Sequence, residues 1–104
     1  MSDADALEFD GFDWDMGNIG KNLRSHNVSE GACEELFFNS PLFMTDDPKH
    51  STVEKRVAAF GVTNLQRRLT VVFTKRGKLI RVISARDMNK REREFYEKAA
   101  EIQE

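Results

Sequence analysis

The stretch LTVVFTKRGKLIRVISA, residues 69–85, constrains the fold more than any other. Two apolar, β-branched runs, Leu69 to Thr74 and Leu79 to Ala85, flank the dipeptide Arg76-Gly77. Such runs favour extended backbone, where branched side chains pack on a pleated surface. Gly77 can take positive φ without steric cost, so the two runs close as a hairpin. A lone hairpin is marginal in water and must bury one face against further elements.

The rest of the chain supplies them. Leu42 to Thr45 reads as a first strand. Val53 to Val62 reads as a second, with Glu54, Arg56, Ala58 and Phe60 on one face and Val53, Lys55, Val57 and Ala59 on the other. The polar DDPKHST joins these two, and TNLQR turns toward the hairpin. Upstream the period is helical. From Met16, Ile19 and Leu23 stand four apart, with Asn22 and His26 on neighbouring faces and Asn27 suited to a C-cap. VSEGACEELF begins a second helix, with Ser29 as N-cap, Glu30 at the positive end, and Ala32, Leu36 and Phe37 toward the core. Pro41 disfavours helical geometry at Ser40 and stops it. The last helix is expected from about Met88 to Ile102, capped by Asp87 or Asn89, with Met88, Phe95, Ala99 and Ile102 as its apolar stripe. Near the start, Phe9, Phe12 and Trp14 suggest a short edge strand or a docked arm.

The expected class is therefore α+β: two N-terminal helices, a four-stranded antiparallel sheet and a C-terminal helix. Residues 1–8 read as a flexible leader and 9–104 as a single domain. No apolar run approaches the roughly 20 residues of a membrane span, so no membrane partner is expected. Cys33 is the only cysteine; it excludes an internal disulfide and suits a reducing cytoplasm, the expected location. Cys33, His26 and His50 are too far apart in sequence for a metal-ligand spacing, and no metal or cofactor is expected.

A net charge of −2 conceals a strong asymmetry. Residues 1–53 carry a balance of −8, residues 54–93 of +9 and residues 94–104 of −3. A cationic segment inside an acidic chain is a footprint for an anionic partner, and phosphate backbones are the commonest kind. The competing reading is a solvated basic strip balanced by the acidic half. Arg81 falls in line with Leu79, Ile83 and Ala85; Arg86 follows the strand; Arg76 sits in the turn; Arg56 shares a face with Glu54. These cations can crowd one side of the sheet, where a guanidinium offers forked donors to phosphate oxygens. The chemistry that suits such a site is RNA cleavage without metal. The 2′-hydroxyl attacks the adjacent phosphorus, a base and an acid move protons, and cations stabilise the charge on phosphate. Arginine keeps its proton and fills only the last role. Glu54, His26 or Tyr96, or substrate and water, are left for the proton transfers.

The segments FDWD at 12–15, NLRSHNVS at 22–29, PLF, DDPKH, EKRVAAFGV at 54–62, LTVVFTKRG at 69–77 and IRVISARDMNKREREFYE at 80–97 run in the order seen in BrnT, the toxin of a bacterial type II toxin–antitoxin pair. The resemblance covers about residues 9–97. Its most specific pieces are the tryptophan-aspartate opening and the RVISAR…E…Y ending. It implies a RelE-like fold and a ribonuclease that stops translation and growth, acting on RNA with or without the ribosome. It also implies a BrnA-like ribbon-helix-helix antitoxin, which reaches operator DNA and represses the operon with the toxin bound. Carried over residue by residue, Arg76, Arg86, Glu54, Arg56 and His26 are the expected catalytic residues. Arg81, Tyr96, Lys75 and Arg68 are the expected substrate-binding residues. The chain departs from the family at Ser25-His26-Asn27, where a lysine often precedes the histidine and a glycine follows it. The alternative is a catalytically weak or inactive module of the same fold that binds nucleic acid or antitoxin.

Overall fold

A computed structural model describes residues 2–3, 7–47 and 54–103. The strands are β1 (Ser2–Asp3), β2 (Gly11–Phe12), β3 (Phe43–Asp46), β4 (Val57–Val62), β5 (Arg68–Arg76) and β6 (Leu79–Asp87). The helices are α1 (Lys21–His26), α2 (Glu30–Leu36) and α3 (Lys90–Gln103). They build one sheet in the order β1-β3-β4-β5-β6-β2.

The four central strands pair antiparallel, as the hairpin and its neighbours demand. The expectation of four antiparallel strands is incomplete, because short strands flank both sides. Ser2–Asp3, expected in a loose leader, pair antiparallel with Met44 and Phe43. Gly11–Phe12 run parallel to Leu79–Ile80, which makes the sheet mixed. A two-residue strand carries no periodicity, so its direction is set by where Phe12 must pack. Of the leader, residues 1 and 4–6 lie outside the described residues, as does the 48–53 connection with His50. The second strand starts at Val57 rather than Val53.

The hairpin closes as expected. Arg76 faces Leu79, and Gly77 takes φ 63° in open space. Between Val72 and Phe73 the register slips by one, because β6 carries an extra residue at Ile83. The slip keeps Val82 and Ala85 on the same side of the sheet as Phe73 and Val71.

One face is covered by α2 and the residues that flank it, while α1 lies along β6. Val28, Cys33, Leu36 and Phe37 pack against Ala59, Leu69, Val71, Phe73, Ile80, Val82 and Ala85. Ser29 caps α2 through its side chain, which accepts from the Ala32 N–H at 3.1 Å. Gly61 lets α2 press onto β4, since a Cβ there would lie 2.9 Å from Leu36 Cγ. Burial pushes the Cys33 thiol up to about 12, so it packs as a small apolar group.

The first helix is shorter than its pattern predicts and faces the other way. Ile19 and Leu23 are half exposed, while Asn18 and Asn22 are buried. The reason is the free edge of β6 beyond its short pairing with β2. Asn18 Nδ2 donates to the Val82 carbonyl at 3.2 Å, Lys21 Nζ to the Ile83 carbonyl at 3.0 Å, and the Ala85 N–H donates to Asn22 Oδ1 at 3.0 Å. Side chains thus do the work of a missing strand, because buried backbone groups must be paired. Asn27 ends α1 in the left-handed region as expected.

The opposite face is covered only at one end. There α3 packs through Tyr96 and Ala99 onto Phe43, Phe60 and Val62, with Met88 beneath. Phe95 is 41% exposed and Ile102 87%, so the expected stripe is shifted toward Tyr96. Beyond α3, Thr74 is buried and its Oγ1 donates to the Lys55 carbonyl at 2.8 Å, and among the described residues a groove remains along Thr45, Ala58, Val72 and Ser84.

Candidate nuclease trough on the open sheet face

Alternation along β5 and β6 decides which side chains reach the open face. Leu69, Val71 and Phe73 point into the core beneath α2, so Arg68, Thr70, Val72, Thr74 and Arg76 point to the other face. On β6, Arg81, Ser84 and Arg86 share that side. The register then sets rows across the sheet. One row is Phe43, Phe60, Thr70 and Arg86; the next is Thr45, Ala58, Val72 and Ser84. In the row beyond, the Asp47 N–H donates to the Arg56 carbonyl at 2.9 Å, and Thr74 lies opposite Arg81.

The middle row is made of small side chains, and its neighbours carry arginines. The result is a trough of about 360 Å³, lined by Thr45, Ala58, Thr70, Val72, Ser84 and Arg86 with Asp46, Asp47 and Glu92. Its bounding wall is the start of α3.

At that wall the Arg86 guanidinium meets the Glu92 carboxylate, Nη1 to Oε1 at 2.7 Å and Nη2 to Oε2 at 3.0 Å. Thr70 Oγ1 and the Asn89 N–H also donate to Glu92 Oε1, at 3.1 and 2.9 Å. Asn89 Oδ1 accepts from the Glu92 N–H at 2.8 Å, which completes a reciprocal cap. Burial pushes the Glu92 carboxyl up, but the bonds from Arg86, Asn89 and Thr70 outweigh it and hold it below its ordinary value. Glu92 is therefore a carboxylate at neutral pH and a poor proton acceptor.

The expected site residues divide. Arg86, Arg68, Arg76 and Arg81 do share the open face, and Arg56 continues it by alternation with Ala58. Arg76 lies 3.4 Å from Glu54 across a partly exposed pair. Arg68 pairs with Glu97 at 2.7 Å. Arg81 has a side chain only 10% exposed, gripped by Asp15 at 2.9 Å and Asp13 at 3.5 Å. The Arg81 bond and the Gly17 N–H hold the Asp15 carboxyl below its usual value. Arg81 thus clasps the 13–15 segment to β6. Of these cations Arg81 meets carboxylates of the acidic half and Arg68 one of the C-terminal segment, whereas Glu54 and Glu92 belong to the cationic stretch itself.

Other residues stand apart. Tyr96 is 4% exposed, and its hydroxyl donates to the Pro41 carbonyl at 2.6 Å. Burial pushes its phenol up, and it packs under α3 rather than facing the trough. Lys75 alternates to the covered side and donates to the Glu8 carbonyl. His26 ends α1, where its carbonyl accepts from Arg67 Nη2 at 3.1 Å, beside the Arg67–Asp87 pair at 2.7 Å. Glu92, Thr70 and Ser84 were not among the expected site residues. Their signals were present: Glu92 stands three residues after Asn89, and Thr70 and Ser84 are polar positions within apolar strands. Among the described residues no group of three or more His, Cys, Asp and Glu could hold a metal ion. No described helix is long and apolar enough to cross a membrane.

A protein-family model described as the ribonuclease toxin, BrnT, of type II toxin–antitoxin systems matches residues 14–92. A search of curated proteins finds no match. The matched span runs from Trp14 through the sheet and ends on Glu92, so it includes the whole trough.

Proposed function

The chain belongs to the BrnT family of ribonuclease toxins, and on that premise we propose that the trough on the open sheet face is where it cleaves RNA. A toxin of this class acts on RNA and is held by a protein antitoxin. The observation that carries the placement is Arg86, an exposed guanidinium held rigid at the wall of a groove with a floor of small side chains. An RNA backbone can lie over Ala58, Val72 and Ser84 with its phosphate against Arg86. Arg56 and Arg76, beyond the opposite row, extend the cationic track.

The reaction is transesterification within the RNA. The 2′-oxygen bonds to phosphorus, the 5′-oxygen leaves, and the extra charge on the phosphate oxygens is stabilised by Arg86. Arginine takes the part that a metal takes in other nucleases, so cleavage proceeds without metal. Glu54, paired with Arg76, is the carboxylate we assign to proton exchange with substrate or water; His26 sits at the β6 edge beside Asp87. The fold is RelE-like, and cleavage stops translation and arrests growth in the cytoplasm. The antitoxin is BrnA-like and reaches operator DNA with the toxin bound.

The second reading, a weak or inactive binding module of the same fold, draws on one observation. His26, the histidine among the expected catalytic residues, lies on the Arg67–Asp87 side rather than at the trough. Mapping RNA 5′ ends in bacteria after brief induction separates the two. Wild type gives new ends that vanish with Arg86→Ala, and weaken with Arg76→Ala, if the trough is the nuclease. A folded wild type that gives no new ends contradicts it.

A further inference from the structure

We infer that Glu92 is a positioning residue for the trough: it clamps one edge of the Arg86 guanidinium so that the other edge is presented to the RNA phosphate. This rests on the trough reading above.

The geometry is one of donors and edges. A guanidinium has five N–H groups, arranged as an end fork (Nη1 and Nη2) and a side fork (Nε and Nη2). Glu92 occupies the end fork, one oxygen to each nitrogen. The second Nη1 hydrogen goes to the Asp87 carbonyl at 3.2 Å. The side fork remains, with parallel donors spaced for two oxygens of one phosphate.

Glu92 is itself immobilised. Both oxygens are bonded, to Arg86, Thr70 and the Asn89 N–H, and its side chain is 18% exposed against 41% for Arg86. The carboxylate is the inner member of the pair and the guanidinium the outer. Substrate meets Arg86, and Glu92 acts through it. A carboxylate that neutralised Arg86 by competing with phosphate would instead be the outer, looser partner.

The position has a second duty, since Glu92 also caps α3, and the two duties separate by mutation. Glutamine serves equally well at that capping position. Glu92→Gln therefore keeps the acceptor for the Asn89 N–H but turns an amide NH2 toward the guanidinium. Asn89→Ala removes the bond to the Glu92 N–H and leaves both bonds to Arg86.

The test uses the purified full chain, a mixed-sequence single-stranded RNA oligonucleotide and a thermal melt of each variant. Glu92→Gln lowers kcat about 10- to 100-fold with KM nearly unchanged, as misplacement of a catalytic group does. Its Tm is no lower than that of Asn89→Ala, which melts earlier yet keeps wild-type kcat. Adding Glu92→Gln to Arg86→Ala costs nothing further, because the two act as one unit. Guanidinium nitrogen NMR supplies a readout that needs no turnover: hindered rotation gives Arg86 separate Nη signals in the wild type, which merge in Glu92→Gln. Unmerged signals, an unchanged kcat in Glu92→Gln, tighter RNA binding with faster cleavage, or a fully additive double variant would each overturn the inference. Wild-type cleavage by Arg86→Ala overturns the trough reading itself, a different result from failure of Glu92→Gln alone.

Discussion

Thr70 and Arg86 face each other across β5 and β6, and both bond the same carboxylate, Glu92, at the first turn of α3. A cross-strand pair on an open sheet face is thereby locked to a helix end. The lock orders the part of the trough wall that α3 supplies.

That lock has a pH dependence with a definite sign. The Glu92 carboxyl ordinarily titrates near 4.5 and is held lower in the fold. A depressed carboxylate contributes stability above its unfolded pKa and loses it as pH falls through the folded one. The gap in Tm between wild type and Glu92→Gln should be constant from neutral pH down to about 5 and close below that. Melting curves across this range check it. A gap that widens in acid would contradict the assignment of charge.

Arg81 is a structural clasp, so Arg81→Ala should act on stability. It leaves Asp13 and Asp15 without their cation and frees the 13–15 segment from β6. Asp15 is well exposed, so solvent screening weakens the pair without removing the clasp. Tm should fall measurably. Fitted to the folded fraction, cleavage per molecule should hold. An unchanged Tm with lost cleavage would move Arg81 into the site.

Ser84 lies on the trough floor, half-buried and open to the groove. Ser84→Phe should fill it, since an aromatic residue suits a strand and the space is not a packed core. RNA cleavage should be lost with Tm within a few degrees of wild type. Undiminished cleavage by a folded Ser84→Phe protein would place the substrate elsewhere.

Arg76 and Glu54 form an exposed pair at 3.4 Å, of a kind that adds little stability. Arg76→Ala should melt like wild type within about 0.5 kcal/mol. It should weaken RNA binding evenly across sequences and make the salt slope shallower by about one unit. Competition binding at several salt concentrations reads both.

The hairpin, the Ser29 cap and the crowding of arginines on one face were legible, because each follows from a local period or a single residue's preference. The orientation of α1 was not. Its apolar residues suggested Ile19 and Leu23 inward, but the unpaired edge of β6 recruits Asn18 and Asn22, and no local pattern announces a tertiary need for amides. The β1 pairing was hidden for a similar reason, having no periodicity; a short edge strand near Phe12 was one of the two readings of its aromatics, but its parallel direction was not legible. The partners of Arg81 and Tyr96 were not legible, because residue type does not announce burial. Arg81 meets aspartates 66 and 68 positions away in sequence, and Tyr96 reaches a carbonyl 55 away. The Glu92 cap was legible and not read: its spacing from Asn89 marks a capping box that stands beside a strand-end arginine.

The most direct test of the central claim is the chemistry of the cut ends. Purified wild-type protein, its Arg86→Ala variant and single-stranded RNA would be incubated with EDTA present, and the products' termini identified by mass. In-line attack by the 2′-hydroxyl with Arg86 as the stabilising cation predicts 5′-hydroxyl and 2′,3′-cyclic phosphate ends, formed in EDTA and absent with the variant. Ends bearing a 5′-phosphate, or cleavage that EDTA abolishes and Arg86→Ala spares, would contradict it.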